Sequence, residues 1–181
     1  MSRISAAITA TGAYVPEFVL TNSMLEKMVD TSDEWILTRT GIKERRILKD
    51  EGKGSSFLAI NAAKDLITKN SIDPRSVDLV IVATATPDMK AASTASFTAT
   101  QIGAINAFSF DMDSACSGFL FGMSTAASFI ESGRCRKVLL IGADKMSSIV
   151  NYKDRETCII FGDGAGAALF ERNDEGLGLI D

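Results

Sequence analysis

The sequence contains no histidine. Schemes in which histidine is the base, the metal ligand or the proton switch near neutral pH therefore cannot run on this chain alone. Cysteine is also scarce. Cys116, Cys135 and Cys158 are an odd number at wide spacing, which suits neither a disulfide framework nor a zinc site. There are only three prolines and one tryptophan. No stretch approaches the roughly 18 consecutive apolar residues of a membrane helix. The opening Met1-Ser2-Arg3-Ile4 has neither an apolar signal core nor a small-residue cleavage pattern. These features lead us to expect a cytoplasmic protein that is neither secreted nor membrane-bound.

What is present describes a globular chain. Its 181 residues are 46% hydrophobic and 23% charged, which is enough apolar material for one sizeable core. The net charge is -4, which argues against nucleic acid as the main partner.

Hydrophobic patterning alternates between strands and helices. Strands are expected at Ile4 to Ala10, Ile42 to Leu48, Leu79 to Ala83, Phe108 to Asp113, Lys137 to Ile141, Thr157 to Phe161 and Ala165 to Glu171. Gly12 to Pro16 reads as a turn, and Gly162-Asp163-Gly164 as a tight turn joining the last two strands. Helices are expected over Ser23 to Val29, Trp35 to Arg39, Ser55 to Lys69, Ser93 to Ile102 and Ser117 to Ser132. Small polar residues before several of these helices, and Gly41 and Gly133 after two of them, are capping signals. The order predicts a layered α/β domain with a mixed, largely buried sheet. The last residues, Gly178-Leu179-Ile180-Asp181, read as a strand just beginning, as if the domain continued beyond this chain.

The sharpest local feature is Asp113-Ser114-Ala115-Cys116-Ser117-Gly118-Phe119. A strand ends in small residues, a cysteine occupies the corner and a helix follows. A sulfur there sits at a helix N-terminus, where a thiolate is favoured. It is the cysteine counterpart of the nucleophile elbow. The competing reading is a buried structural thiol. Cys135, between Arg134 and Arg136, reads as a solvated loop cysteine. Cys158 reads as core packing in a strand. Gly162-Asp163-Gly164-Ala165-Gly166 follows a strand as a dinucleotide fingerprint does, but an apolar strand-like run follows where a helix should open, so it reads as a turn. Trp35 and Arg39 share one helix face. They would suit a flat base with a phosphate beside it, or form a half-buried indole with a surface guanidinium over it. The basic run Lys43 to Lys49 reads as a solvated strand face.

Three separate motifs carry a resemblance. Asp30-Thr31-Ser32-Asp33-Glu34-Trp35-Ile36, with Thr38-Arg39-Thr40-Gly41-Ile42 and Glu44-Arg45-Arg46, resembles the opening of β-ketoacyl-[acyl-carrier-protein] synthase III. Ala115-Cys116-Ser117-Gly118-Phe119 resembles its nucleophile motif. Asp154-Arg155, Thr157-Cys158 and Phe161-Gly162-Asp163-Gly164-Ala165-Gly166 resemble its later signature. The resemblance implies a thiolase-like fold, with residues 1–181 forming its first βαβαβαββ half. It implies a condensing acyltransferase that starts fatty-acid synthesis. The acyl group, typically acetyl, passes from acyl-CoA to Cys116. Malonyl-acyl carrier protein is then decarboxylated and attacks, giving a 3-oxoacyl product. The resemblance further implies that Thr31, Trp35, Arg39 and Arg155 contact CoA, which is a substrate and not a permanently bound cofactor. No metal is implied. A homodimer is.

Two departures from that family bear on activity. Its catalytic His and Asn lie in the second half of the fold, so this chain carries the nucleophile without them and needs a C-terminal half for condensation. Relatives often have an aromatic residue and Pro in the loop after Thr84-Ala85-Thr86, where this chain has Ala91-Ala92. In the family that loop closes the partner's acyl pocket, so small residues there imply room for a primer longer than acetyl. Two alternatives stay open: a catalytically incomplete half-domain that binds CoA or a partner, and a related thiolase-fold synthase of secondary metabolites.

Overall fold

The computed structural model of the chain describes residues 4–179. Met1 to Arg3, on which the reading of the N-terminus partly rests, and Ile180 and Asp181 of the expected terminal strand lie outside the described residues.

A five-stranded sheet forms the centre. In spatial order it comprises β1 (Ser5–Tyr14), β7 (Asp163–Asn173), β6 (Lys137–Lys145), β4 (Leu79–Ala83) and β5 (Phe108–Met112). β4 runs parallel to both β5 and β6. β7 runs antiparallel to β6 and to β1. The sheet is mixed, as the sequence leads one to expect. β4 is buried at every position, the mark of a strand covered on both faces. Its period of two splits the core. Val80 and Val82, with Leu139 and Ile141 of β6, join one cluster with α3 (Ser55–Asn70) and α4 (Thr94–Ile102). Leu79 and Ile81, with Val138 and Leu140, join the other with α5 (Gly118–Glu131). Counting only these elements, the order along the chain is βαβαβαββ.

Between β1 and α3 the chain forms a satellite lobe. It holds the antiparallel pair β2 (Phe18–Thr21) and β3 (Glu44–Ile47), and the helices α1 (Asn22–Leu25) and α2 (Asp33–Thr40). Leu20, Leu25, Ile36 and Ile47 bury themselves there with Cys158 and Ile159 of a later segment. The ends of α2 follow from its sequence. The Ser32 hydroxyl accepts from the Trp35 N–H at 3.1 Å. Gly41, at φ 72°, closes it in the left-handed region.

Several expectations are corrected. β1 runs on through Gly12 to Tyr14 where a turn was expected. The glycine is there because α3 lies directly on it: a Cβ would stand 2.5 Å from the Leu66 nitrogen and 2.6 Å from the Ala62 oxygen. The expected strand Thr157 to Phe161 is instead part of the short helix α6 (Arg155–Cys158) and the loop after it. Asp154 overrides β-propensity by capping: its carboxylate accepts from the Glu156 N–H at 3.0 Å and from the Thr157 hydroxyl at 2.7 Å. Asp163 and Gly164 form no turn, because β7 already begins at Asp163. Gly166 pairs with Ala13 on one side and Gly142 on the other. The helix expected to reach Val29 ends as regular helix at Leu25. Cys135 is buried, at 3% exposure, not a solvated loop thiol; its N–H donates to the Phe129 carbonyl at the end of α5. Beyond β7, Leu179 donates to the Ala6 carbonyl of β1 at 3.1 Å.

Candidate active site

The parallel strands β4, β5 and β6 end on one side of the sheet, and the candidate nucleophile stands at that rim. Ligand sites of α/β sheets favour such carboxyl ends. Cys116 follows β5 in a single 3-10 turn, Ala115–Ser117, immediately before α5. Its side chain is exposed. Ala115 holds φ at 44°, a left-handed conformation that is strained for a residue with a Cβ. The corner is tight: a Cβ on Gly118 would stand 3.2 Å from that of Ala83. The sharp strand-to-helix reversal lifts the sulfur out of the sheet, as a nucleophile elbow requires.

Cys116 lines a cleft of about 580 Å³, shared with Ala85, Asp144, Met146, Phe161 and Gly166. Gly142, Gly164 and Ala165 complete much of the floor. The glycine-rich run that reads as a turn in the sequence is thus a strand whose missing side chains leave room beside the sulfur. Gly142 has a second reason: a Cβ would come within 3.2 Å of the Phe119 ring.

Two carboxylates that the sequence reading passes over hold this rim together. Asp144 accepts the Ala85 N–H at 2.8 Å, the Thr84 hydroxyl at 3.1 Å and the Thr86 hydroxyl at 3.2 Å, so it pins the loop leaving β4. Asp163 is buried. It accepts the Leu48 N–H at 2.8 Å, the Ser147 N–H at 2.8 Å and the Ser147 hydroxyl at 2.6 Å. Their one signal in the sequence is an acid near the end of the apolar β6 and another at the start of the glycine-rich β7.

The residues expected to meet CoA form a second cluster. The Arg39 guanidinium carbon lies 4.4 Å from the Trp35 ring centroid, and that of Arg155 lies 5.0 Å from it. Arg155 also donates to the Asp30 carbonyl at 3.1 Å, next to Thr31. The Thr31 hydroxyl is sequestered and has no hydrogen-bond partner within the described structure. Trp35 is half-buried and both arginines are exposed. The structure therefore brings Thr31, Trp35, Arg39 and Arg155 together, although α2 and α6 are far apart in sequence. α6 leads from this cluster to the sulfur: Arg155 opens it, and Phe161 and Gly162, just beyond it, line the Cys116 cleft.

The other two thiols stand apart. Burial pushes the Cys135 thiol up, and nearby Asp78 adds to it. Burial also pushes Cys158 up, with Asp154 adding and Arg45 opposing. Both are held as neutral thiols in apolar surroundings. Among the described residues, no group of three or more His, Cys, Asp or Glu side chains is arranged to hold a metal ion. No helix there is long and apolar enough to cross a membrane.

Residues 110–181, which contain the elbow, the cleft floor and α6, match the profile of 3-oxoacyl-[acyl-carrier-protein (ACP)] synthase III. The whole chain is 56% identical to "Beta-ketoacyl-[acyl-carrier-protein] synthase III 2" of Bacteroides thetaiotaomicron, covering 54% of that protein. The chain resembles β-ketoacyl-[acyl-carrier-protein] synthase III over its whole length. It spans about half the length of the curated relatives it matches and fits their N-terminal half. Among solved structures, the 3-oxoacyl-[acyl-carrier-protein] synthase III of Aquifex aeolicus superposes with a TM-score of 0.90 at 48% identity, over 94% of this chain and 55% of that one. The priming β-ketosynthase of the R1128 polyketide pathway superposes at 0.89 with 34% identity, over 93% and 50%. The fold is thiolase-like.

Proposed function

We propose that the protein containing this chain is a β-ketoacyl-[acyl-carrier-protein] synthase III, with Cys116 as its acyl-accepting nucleophile. The observation that carries this reading is the exposed sulfur on a strained elbow, opening onto a cleft floored by glycines. The Cys116 thiolate attacks the carbonyl carbon of acyl-CoA. The tetrahedral oxyanion forms, with the Cys116 backbone N–H as one donor to it. It collapses with loss of CoA as a thiolate, which takes up a proton. The acyl group is then held as a thioester on Cys116. Malonyl-acyl carrier protein loses carbon dioxide, and the resulting carbanion attacks that thioester to give the 3-oxoacyl product and the free thiolate. The second step needs groups that stabilise the carbanion. The chain has no histidine, and the resemblance assigns that role to a His and an Asn of the C-terminal half.

The Trp35 platform with Arg39 and Arg155 fits an adenine ring and the phosphates beside it. Thr31 lies beside this platform, its sequestered hydroxyl without a partner among the described residues. CoA is accordingly a passing substrate. β5 is an edge of the sheet and its first residue, Phe108, is exposed, which suits edge-to-edge pairing in a homodimer. The free thiols suit the cytoplasm. Ala91 and Ala92 are exposed in the loop between β4 and α4, which supports a primer longer than acetyl. A strict preference for acetyl-CoA over butyryl-CoA would remove that last point alone.

The test is the mass of the Cys116 peptide after incubation with acetyl-CoA. One added acyl group, absent from Cys116→Ala, is the expected result. Acylation that persists in the variant overturns the assignment. The likeness to a polyketide priming synthase supports a second reading, a secondary-metabolite synthase with the same cysteine chemistry. Product analysis with malonyl-acyl carrier protein separates the two.

A further inference from the structure

Arg45 is 4% exposed, and no carboxylate among the described residues pairs with it directly. Its Nε donates to the Ile159 carbonyl at 2.8 Å, and Nη2 bonds the same oxygen. Nη1 donates to the Asn22 side-chain oxygen at 2.5 Å. Asn22, at 1% exposure, turns its amide outward, to Asp33 Oδ1 at 2.7 Å and to the Ile42 carbonyl at 2.8 Å. Asp33 is the first residue of α2, and Ile159 directly follows α6. One buried guanidinium therefore ties the start of α2 to the end of α6.

Those two helices carry the aromatic clamp, with Trp35 and Arg39 on α2 and Arg155 on α6. A buried cation is costly unless its hydrogen bonds are well made, and burial pulls the Arg45 guanidinium below its ordinary value. A neutral residue would fill the same volume at less cost. The planar fork supplies what a neutral residue lacks, namely bonds to two elements at fixed spacing.

We propose that Arg45 is a positioning residue for the nucleotide end of CoA, setting the gap between α2 and α6 in which the adenine lies. The cleft end has its own fastening. Asp163 holds Leu48 and Ser147, and Gly162 passes close to β3, where a Cβ would stand 3.1 Å from the Arg46 oxygen. Loosening Arg45 therefore affects the nucleotide more than the sulfur. This inference rests on the reading of Cys116 as acceptor from acyl-CoA.

The experiment follows acylation of Cys116 in the intact protein containing this chain, by peptide mass. It compares acetyl-CoA with the acetyl thioester of N-acetylcysteamine, which has no nucleotide. Arg45→Lys keeps the charge and loses the fork. Asn22→Ser cuts the same link while leaving Arg45 itself in place, and serves if the first variant does not fold. With either, the half-saturating concentration of acetyl-CoA should rise about tenfold, while its limiting rate and the rate with the truncated donor stay within about twofold. Parallel loss with both donors would mean a merely structural arginine and overturns the proposal. A wild-type protein that is acylated no better by acetyl-CoA than by the truncated donor overturns the underlying reading, and the proposal with it.

Discussion

The carboxylate of Asp163 accepts the backbone N–H of Leu48 at 2.8 Å, across 115 residues of sequence. The same buried group takes two bonds from Ser147. Three segments thus meet on one side chain: the exit of β3, the loop after β6 and the start of β7. Asp163→Ala would leave those donors unpaired in a buried site, where each costs about 1–3 kcal/mol. The expected loss is about 3 kcal/mol of unfolding free energy, read from denaturant melts. Asp163→Asn keeps one acceptor and should fall between. An unchanged midpoint for the alanine variant would show that the three segments hold without it.

The glycines separate into two kinds. A Cβ at Gly12 meets the backbone of α3 at 2.5 Å, whereas a Cβ at Gly166 meets nothing within 4 Å. Backbone cannot step aside as a side chain can, so Gly12→Ala must push α3 off β1. The expected cost is about 2–3 kcal/mol. Gly166→Ala should melt within about 0.5 kcal/mol of wild type. Equal melting temperatures for the two variants would contradict the close packing of α3 on β1.

Much of the frame was legible in the sequence because local chemistry and tertiary role agree there. β4 was read residue for residue, since an uninterrupted Leu79–Ala83 run bounded by polar residues has few other uses. α2 was bracketed by the small polar residues before it and by Gly41, and Ser32 and Gly41 cap it. The misreadings arise where a contact outside the apolar pattern decided the outcome, a distant helix at Gly12 and a nearby side-chain cap at Asp154. Gly12 looked like a turn because the helix lying against it is fifty residues on. Thr157 to Phe161 looked like a strand because apolar composition hid the cap at Asp154. Cys135 looked solvated because its basic neighbours are exposed while the thiol packs under α5. Cys116 was visible through the small residues around it. The roles of Asp144, Asp163 and Arg45 were not, because a buried polar group is recognised by partners that the sequence places far away.

Acid should weaken the fold at one identifiable place. Glu171 on β7 stands opposite Lys137 on β6 at 2.8 Å. Partial burial would raise its carboxyl, but the bonds from Lys137 and Thr9 outweigh it and the group ends below its ordinary value. A depressed carboxyl contributes stability that is fully present above the unfolded value of about 4.3 and is lost as pH falls through the lower, folded value. The pair is roughly a third exposed, so its contribution is about 0.5 kcal/mol. Glu171→Gln should melt slightly lower than wild type at neutral pH, and the gap should close as pH falls below the ordinary carboxylate range. A gap that widens on acidification would contradict this sign.

The aromatic clamp gives an optical test. Trp35 is the only tryptophan of the chain, so CoA seated on it should quench the chain's tryptophan fluorescence. Arg39→Ala and Arg155→Ala should each weaken that binding by about 5- to 30-fold, since each removes a cation from the ring and from any phosphate near it. Both share one ring, so the double variant should lose less than the product of the two. Added salt should weaken wild-type binding more than that of either variant. Binding that ignores both arginines and salt would move the nucleotide off Trp35.

Alkylation should separate the thiols. Cys116 is exposed on the elbow, while Cys135 and Cys158 are buried and burial keeps both in the unreactive thiol form. Iodoacetamide at neutral pH should therefore label Cys116 first and leave the other two until the chain is unfolded. Peptide mapping over time reads the order directly. Acetyl-CoA added beforehand should protect Cys116 and leave the slow labelling of the others unchanged, because an acyl thioester has no free sulfur to alkylate. Comparable early labelling of Cys135 would mean that the packing of α5 against β6 opens readily. Early labelling of Cys158 would mean the same for the contact between α6 and the satellite lobe, on which the alignment of Arg155 with Trp35 depends.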